Sequence, residues 1–153
     1  EKMPIDENET VGDVHDRMMT LGANTVLKTV KAIEHQDYTL KVQDHTLATK
    51  APKIFHETCQ IDFNQATVQV HNFIRGLSPY PTAWTVLDDL KLKIFKSEKI
   101  IEPHDLETGQ LQTDGKKFFH FATTDGFIKV LELQLQGKKR MKIKDFLNGY
   151  KMK

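Results

Sequence analysis

The chain has 153 residues and a formal net charge of +1; 39% are hydrophobic and 28% charged, enough for one core domain and part of another. No apolar run approaches the roughly 18 residues of a membrane span, and no signal-peptide pattern opens the chain. The single cysteine, Cys59, excludes an internal disulfide and gives a metal cluster no thiolate pair, so a reducing cytoplasm is the expected setting.

The chain starts at Glu1, and EKMPI reads as the end of a strand, the mark of a fragment or a processed product. After Pro4, Thr10 is a helix N-cap, and Asp13 three residues on makes an acidic version of the capping box. Val11, Val14, Met18 and Leu21 recur at helical spacing, and Val26, Leu27, Val30 and Ile33 resume the pattern beyond Gly22. This is one helix bent near Gly22 or two short ones, ending around His35 to Asp37. Its apolar stripe needs a partner surface. Residues 43–60 are polar and aperiodic, contain Pro52, and read as a linker between a helical segment (1–42) and a second unit (61–153).

Asn64 is the expected N-cap of the next helix, with Ala66, Val70, Phe73, Ile74 and Leu77 on its apolar face and Gly76 at the left-handed position past its end. Pro79 and Pro81 then forbid continuation, leaving Tyr80 and Trp84 to pack the corner. From Thr82 the period becomes strand-like. Ala83–Leu87 is a strand, Asp88-Asp89 a tight turn, and Leu90–Phe95 a strand with Leu90, Leu92 and Ile94 on one face. Glu102 to Thr108 is a loop. Strands follow near 109–113, 116–123 and 127–135, with Asp114-Gly115 and Asp125-Gly126 as hairpin signals. Ile143, Phe146, Leu147 and Tyr150 mark a closing helix. The fold expected is mainly β with flanking helices: a small, open antiparallel barrel of the oligonucleotide-binding (OB-like) type, with a small sandwich as the second possibility.

No catalytic constellation stands out. The histidines form no HxH or HxxxH pair, and glycine never forms a phosphate-cradling GxGxxG or Walker arrangement. His15 and Asp16 are helix neighbours pointing about 100° apart. His71 reads as a boundary residue of the second helix rather than a ligand, and Cys59 has no local activator.

Charge is the remaining signal. Residues 1–60 carry 7 basic and 10 acidic side chains, net −3; residues 61–153 carry 15 and 11, net +4. Lys91, Lys93 and Lys96 lie on one hairpin. Lys138, Lys139, Arg140, Lys142 and Lys144 follow the last strand, with only Asp145 against them. Brought together, these cations make a surface for the backbone of an anionic polymer, read by charge and shape. Lysines on the wet face of a hairpin are the competing explanation.

IRGLSPYPTAW resembles the Arg-x-x-Asn-Pro-Trp-Pro segment of methionyl-tRNA formyltransferases. LELQLQGKKRMKIKDFLNG is similar to that family's closing strand, basic loop and helix. KAPKIFHETCQIDFNQ is similar to its interdomain linker, and ETVGDVHDRMMTLGANTVLKTVKAI to the last helical region of its catalytic domain. The order is the same and almost the whole chain is covered. Ser78, Tyr80 and Thr82 depart from the family's usual asparagine, tryptophan and glycine.

The resemblance implies a two-domain cytoplasmic enzyme that passes a formyl group from 10-formyltetrahydrofolate to the methionyl group of initiator tRNA. It implies that the catalytic Asn, His and Asp lie upstream of this chain, so no catalytic residue, metal ligand or cofactor contact is assigned here. The expected partners are initiator methionyl-tRNA and the missing N-terminal catalytic domain, with no membrane. The expected tRNA contacts are Arg75, Lys91, Lys93, Lys96, Lys138, Lys139, Arg140 and Lys142, Arg75 because the family places a basic residue beside its proline corner. A sugar-nucleotide or folate-related formyltransferase, or a protein-interaction barrel module, stays open as the alternative.

Overall fold

A computed structural model describes residues 1–150; Lys151 and Lys153 of the basic tail lie outside the described residues. The order of elements is α1 (Val11–Glu34), α2 (Thr67–Gly76), β1 (Ala83–Leu87), β2 (Leu90–Ile101), β3 (Leu111–Thr113), β4 (Phe119–Ala122), β5 (Gly126–Leu135), β6 (Met141–Lys142) and α3 (Ile143–Gly149).

Helix α1 is a single unbroken helix of 24 residues. Thr10 Oγ1 accepts from the Asp13 amide while the Asp13 carboxylate accepts from the Thr10 amide at 2.9 Å, so the capping box forms as the residues predict. Gly22 does not break it, because its surroundings are open and one glycine costs an exposed helix only about 1 kcal/mol. None of its residues is buried, and Met18, Met19, Val26, Leu27, Val30 and Ile33 stay exposed. Residues 37–58 lie on the surface, with one short turn at His45–Leu47 and a second at Glu57–Cys59.

Helix α2 begins two residues later than expected, with Ala66 rather than Asn64 at the N-cap. Asn64 is drawn into a turn by the Asp62 carboxylate, which accepts from its amide at 2.9 Å. The first helical amide, Thr67, donates instead to Asp125 Oδ1 at 2.7 Å, from 58 residues away. Gly76 is the last helical residue rather than a left-handed one beyond the helix, and Leu77 closes it at φ −110°. The chain reverses at Thr82, whose φ of +81° lies in the region that glycine prefers, a physical reason for the glycine that the resemblance expects there. Its amide donates to the Leu77 carbonyl at 2.8 Å and its hydroxyl to the Pro79 carbonyl at 2.6 Å. Tyr80 does not pack the corner; it is 84% exposed at the tip.

Strands β1 and β2 form a hairpin across Asp88 and Asp89, both at positive φ, as a two-residue turn of matching twist requires. Strand β2 runs six residues past the expected Phe95. A bulge between Ile94 and Ser97 shifts its register, which breaks the alternation in the sequence while the ladder with β5 continues to Ile101. Leu92 and Ile94 point inward, whereas Leu90 is at the rim. The expected 116–123 strand shortens to β4 because Asp114 Oδ1 takes the amides of Lys116, Lys117 and Phe118. Those three bonds pull the Asp114 pKa down to about 2.

The sheet follows the order β1-β2-β5-β4-β3, with β6 alongside β5, all antiparallel: an OB-like half-barrel with flanking helices. Helix α2 packs on β2 and β5, α3 on β5 and β6. The core that joins them includes Ile74, Leu92, Ile94, Phe119, Ile128 and Leu133, each fully buried. Among the described residues, no helix packs on the other side of β2, β5 and β6, which the segment leading into α1 borders around Phe95, Lys96, Glu132 and Arg140.

Candidate nucleic-acid interface

Side chains that alternate away from the core on β2, β5 and β6 make one outer face. Lys93 stands opposite Trp84 on β1 and Gln134 on β5. Lys91 Nζ lies 2.9 Å from His56 Nε2 and 4.6 Å above the Trp84 ring. Trp84 stacks on His56 with ring centres 5.1 Å apart, and its Nε1 donates to the His56 carbonyl at 2.9 Å. The loop after β5 is tied to this face: the Gln136 amide donates to the Lys91 carbonyl at 2.8 Å, and Gln134 Nε2 to the Lys138 carbonyl at 2.9 Å. A cleft of about 320 Å³ lies between Lys91, Lys93 and Gln134–Gly137.

Farther along, three cations surround one carboxylate. Lys96 and Lys142 are the cross-strand neighbours of Glu132, and Arg140 grips it with Nε at 2.8 Å and Nη2 at 2.7 Å. The Arg140 guanidinium also lies 4.2 Å over the Phe95 ring, and with Pro79 and the segment leading into α1 around the same spot Phe95 is buried. The Arg140 hydrogen bonds, then the charges of Arg140, Lys96 and Lys142, lower the Glu132 pKa against the opposing effect of burial. Glu132 therefore stays ionised and cancels one of the three charges. Among the described residues, no carboxylate lies within ion-pair distance of Lys93, Lys138, Lys139 or Lys142.

The structure thus brings Lys91, Lys93, Lys96, Lys138, Lys139, Arg140 and Lys142 to one face and its bordering loop. Arg75 is at its border, beside Phe95 and Lys96. It donates from Nε to Asn72 Oδ1 at 2.7 Å and from Nη1 to the carbonyls of Asp6 and Glu9 at 3.3 and 3.0 Å.

His71 is a core residue, 2% exposed, with Nδ1 3.0 Å from Ser97 Oγ. Burial, then Lys99 and Arg75, push its pKa below the usual imidazole range. His15 and Asp16 do meet, at 3.2 Å, but on the open surface of α1. Cys59 is buried, its Sγ 3.3 Å from the Phe55 carbonyl. Among the described residues no cluster of His, Cys, Asp and Glu could hold a metal ion, and no helix is long and apolar enough to cross a membrane.

Glu132, Phe95 and Trp84 complete the face, and the sequence singles out none of them for it, Trp84 being expected at the proline corner. Glu132 and Arg140 are eight apart, a spacing with no local signal; only the antiparallel turn between β5 and β6 joins them.

Residues 53–151 match the C-terminal domain of formyl transferases. The chain belongs to that family. The match takes in α2, the whole sheet and α3, and every basic residue of the outer face. Curated relatives include methionyl-tRNA formyltransferases of Phocaeicola vulgatus, 46% identical over 98% of this chain and 49% of the relative, and of Bacteroides thetaiotaomicron, 45% identical over 99% and 50%. The chain spans about half the length of these relatives. Among solved structures, an Aquifex aeolicus HypX variant aligns with a TM-score of 0.66 at 16% identity, over 99% of this chain and 28% of that one. WlaRD, a sugar 3N-formyl transferase, aligns with a TM-score of 0.58 at 22% identity, over 90% and 48%. At those identities the likeness concerns the fold alone. In this formyl transferase C-terminal domain, α1 precedes the matched region and meets it along the residues that lead into the helix.

Proposed function

We propose that this chain is the C-terminal portion of a cytoplasmic methionyl-tRNA formyltransferase acting in translation initiation, and that its part is to hold initiator methionyl-tRNA while the preceding half transfers the formyl group from 10-formyltetrahydrofolate. The observation that carries this reading is the outer face of β2, β5 and β6. Its lysines converge from two strands and a loop, and four of its cations have no carboxylate partner among the described residues. Such a surface gains affinity by releasing counterions from phosphates, and it reads shape rather than bases.

The folate belongs to the preceding half. The exposed apolar stripe of α1 is the surface on which that preceding half is seated. The sugar formyl transferase reading shares the fold but is supported at 22% identity, against 46% for the tRNA enzyme.

The test uses the full-length enzyme with Lys138, Lys139, Arg140 and Lys142 all changed to Glu. The KM for methionyl-tRNA rises at least tenfold, on the order expected when several phosphates are no longer neutralised, and kcat stays within about twofold. The 153-residue chain alone forms no formyl-methionyl-tRNA. An unchanged KM would show that these cations only solubilise the surface.

A further inference from the structure

The segment that leads into α1 is fastened to the half-barrel from several sides. Arg75, at the end of α2, donates through Nη1 to the carbonyls of Asp6 and Glu9, and its Nε is held by Asn72. Lys99 of β2 is paired with Glu7. The Gly12 amide donates to the Ser78 carbonyl at 3.0 Å, and the Pro79 ring lies so close that a Cβ on Gly12 would come within 2.6 Å of Pro79 Cδ. From the helix side, Arg17 pairs with the Glu9 carboxylate and donates through Nη2 to the Pro4 carbonyl at 3.0 Å. The chain that leaves α1 is exposed from residue 33 to 58 and meets the sheet only near its far end, where His56 contacts Trp84 and Lys91. The orientation of α1 is therefore set at its start, not by the connection at its end.

We propose that Gly12, Pro79 and Arg75 form a joint that fixes α1, and with it the half of the protein seated on α1, at one angle to the basic outer face. Arg75 is then a positioning residue and not an RNA contact. Its guanidinium already satisfies two backbone carbonyls and an amide oxygen, and a phosphate would have to displace them. The proline corner gains a role as well. It presents the Ser78 carbonyl and the Pro79 ring to Gly12, which has no side chain to keep them apart.

The activity readout rests on the tRNA reading above; the structural readout does not. In the full-length protein, Gly12→Ala and Arg75→Gln are compared by hydrogen exchange over residues 6–13 and by methionyl-tRNA affinity across a salt series. Alanine favours a free helix over glycine, so Gly12→Ala slows exchange unless the joint is tight. The joint predicts that both variants speed exchange over residues 6–13 by tenfold or more and leave exchange in β2 and β5 unchanged. It also predicts that the salt slope of tRNA affinity is the same in both variants as in the parent. Exchange that is unchanged or slower in Gly12→Ala overturns the joint. A slope shallower by about one unit in Arg75→Gln makes Arg75 a phosphate contact and overturns its positioning role. If the protein binds no tRNA at all, the exchange result still decides the joint and the tRNA reading alone fails.

Discussion

Asp125 holds the entrance of α2 from across the fold, its Oδ1 accepting from both the amide and the hydroxyl of Thr67 at 2.7 Å. Thr67 Oγ1 lies 2.6 Å from Thr123 Oγ1, and Thr123 in turn donates to the Gly126 carbonyl, so one carboxylate ties a helix to a strand turn. Replacing Asp125 with Ala leaves the first amide of α2 without its acceptor and costs about 1–2 kcal/mol in denaturant unfolding. The Thr67 amide, then the Thr67 hydroxyl, lower the Asp125 pKa below its ordinary 3.8. A depressed folded-state pKa stabilises at pH above the unfolded value and loses that stabilisation as pH falls through the depressed one. The stability gap between parent and Asp125→Ala is therefore constant above about pH 5 and narrows in acid below 3.8. A gap independent of pH down to acid unfolding would rule the contact out. The same residues show what a sequence conceals. The cap at Thr10 was legible because its partner is three residues away, whereas Asn64 looked like the cap of α2 only because the true acceptor is distant in sequence.

At the scale of elements, the long β2–β5 pair organises both the core and the outer face. It depends on a close approach at Gly126, where a Cβ would sit 2.0 Å from the Ile100 carbonyl oxygen, a backbone atom that cannot swing aside. Gly126→Ala forces these strands apart and destabilises by about 2 kcal/mol or more, read as a lower melting temperature. A variant as stable as the parent would place that ladder end elsewhere. The strands themselves were legible because period two survives wherever one face is buried. Their limits were not: the bulge between Ile94 and Ser97 concealed the second half of β2, and the Asp114 turn removed residues 116–118 from β4. The hairpin at Asp88-Asp89 was found because residues that tolerate positive φ stood between two alternating runs.

Across the whole molecule, charge separates in the way the composition announced, with an acidic leading segment and a basic sheet. What composition could not supply is the arrangement. The lysines of β2 and of the 138–142 loop share a face only because β2, β5 and β6 are adjacent, and Arg75, at its border beside Phe95 and Lys96, spends its guanidinium on backbone carbonyls of the leading segment. The apolar stripe of α1 was legible as a surface in need of a partner, and it remains uncovered in this chain. On the reading proposed above, the outer face of the half-barrel engages the backbone of tRNA through charge. The slope of log affinity against log salt for methionyl-tRNA and the full-length protein measures that engagement, with and without Glu at positions 138, 139, 140 and 142. The parent gives a steep negative slope, and the variant one shallower by about 2–3 units, roughly one for each phosphate that its side chains no longer neutralise. Equal slopes and equal affinities would mean that this face does not meet the tRNA backbone.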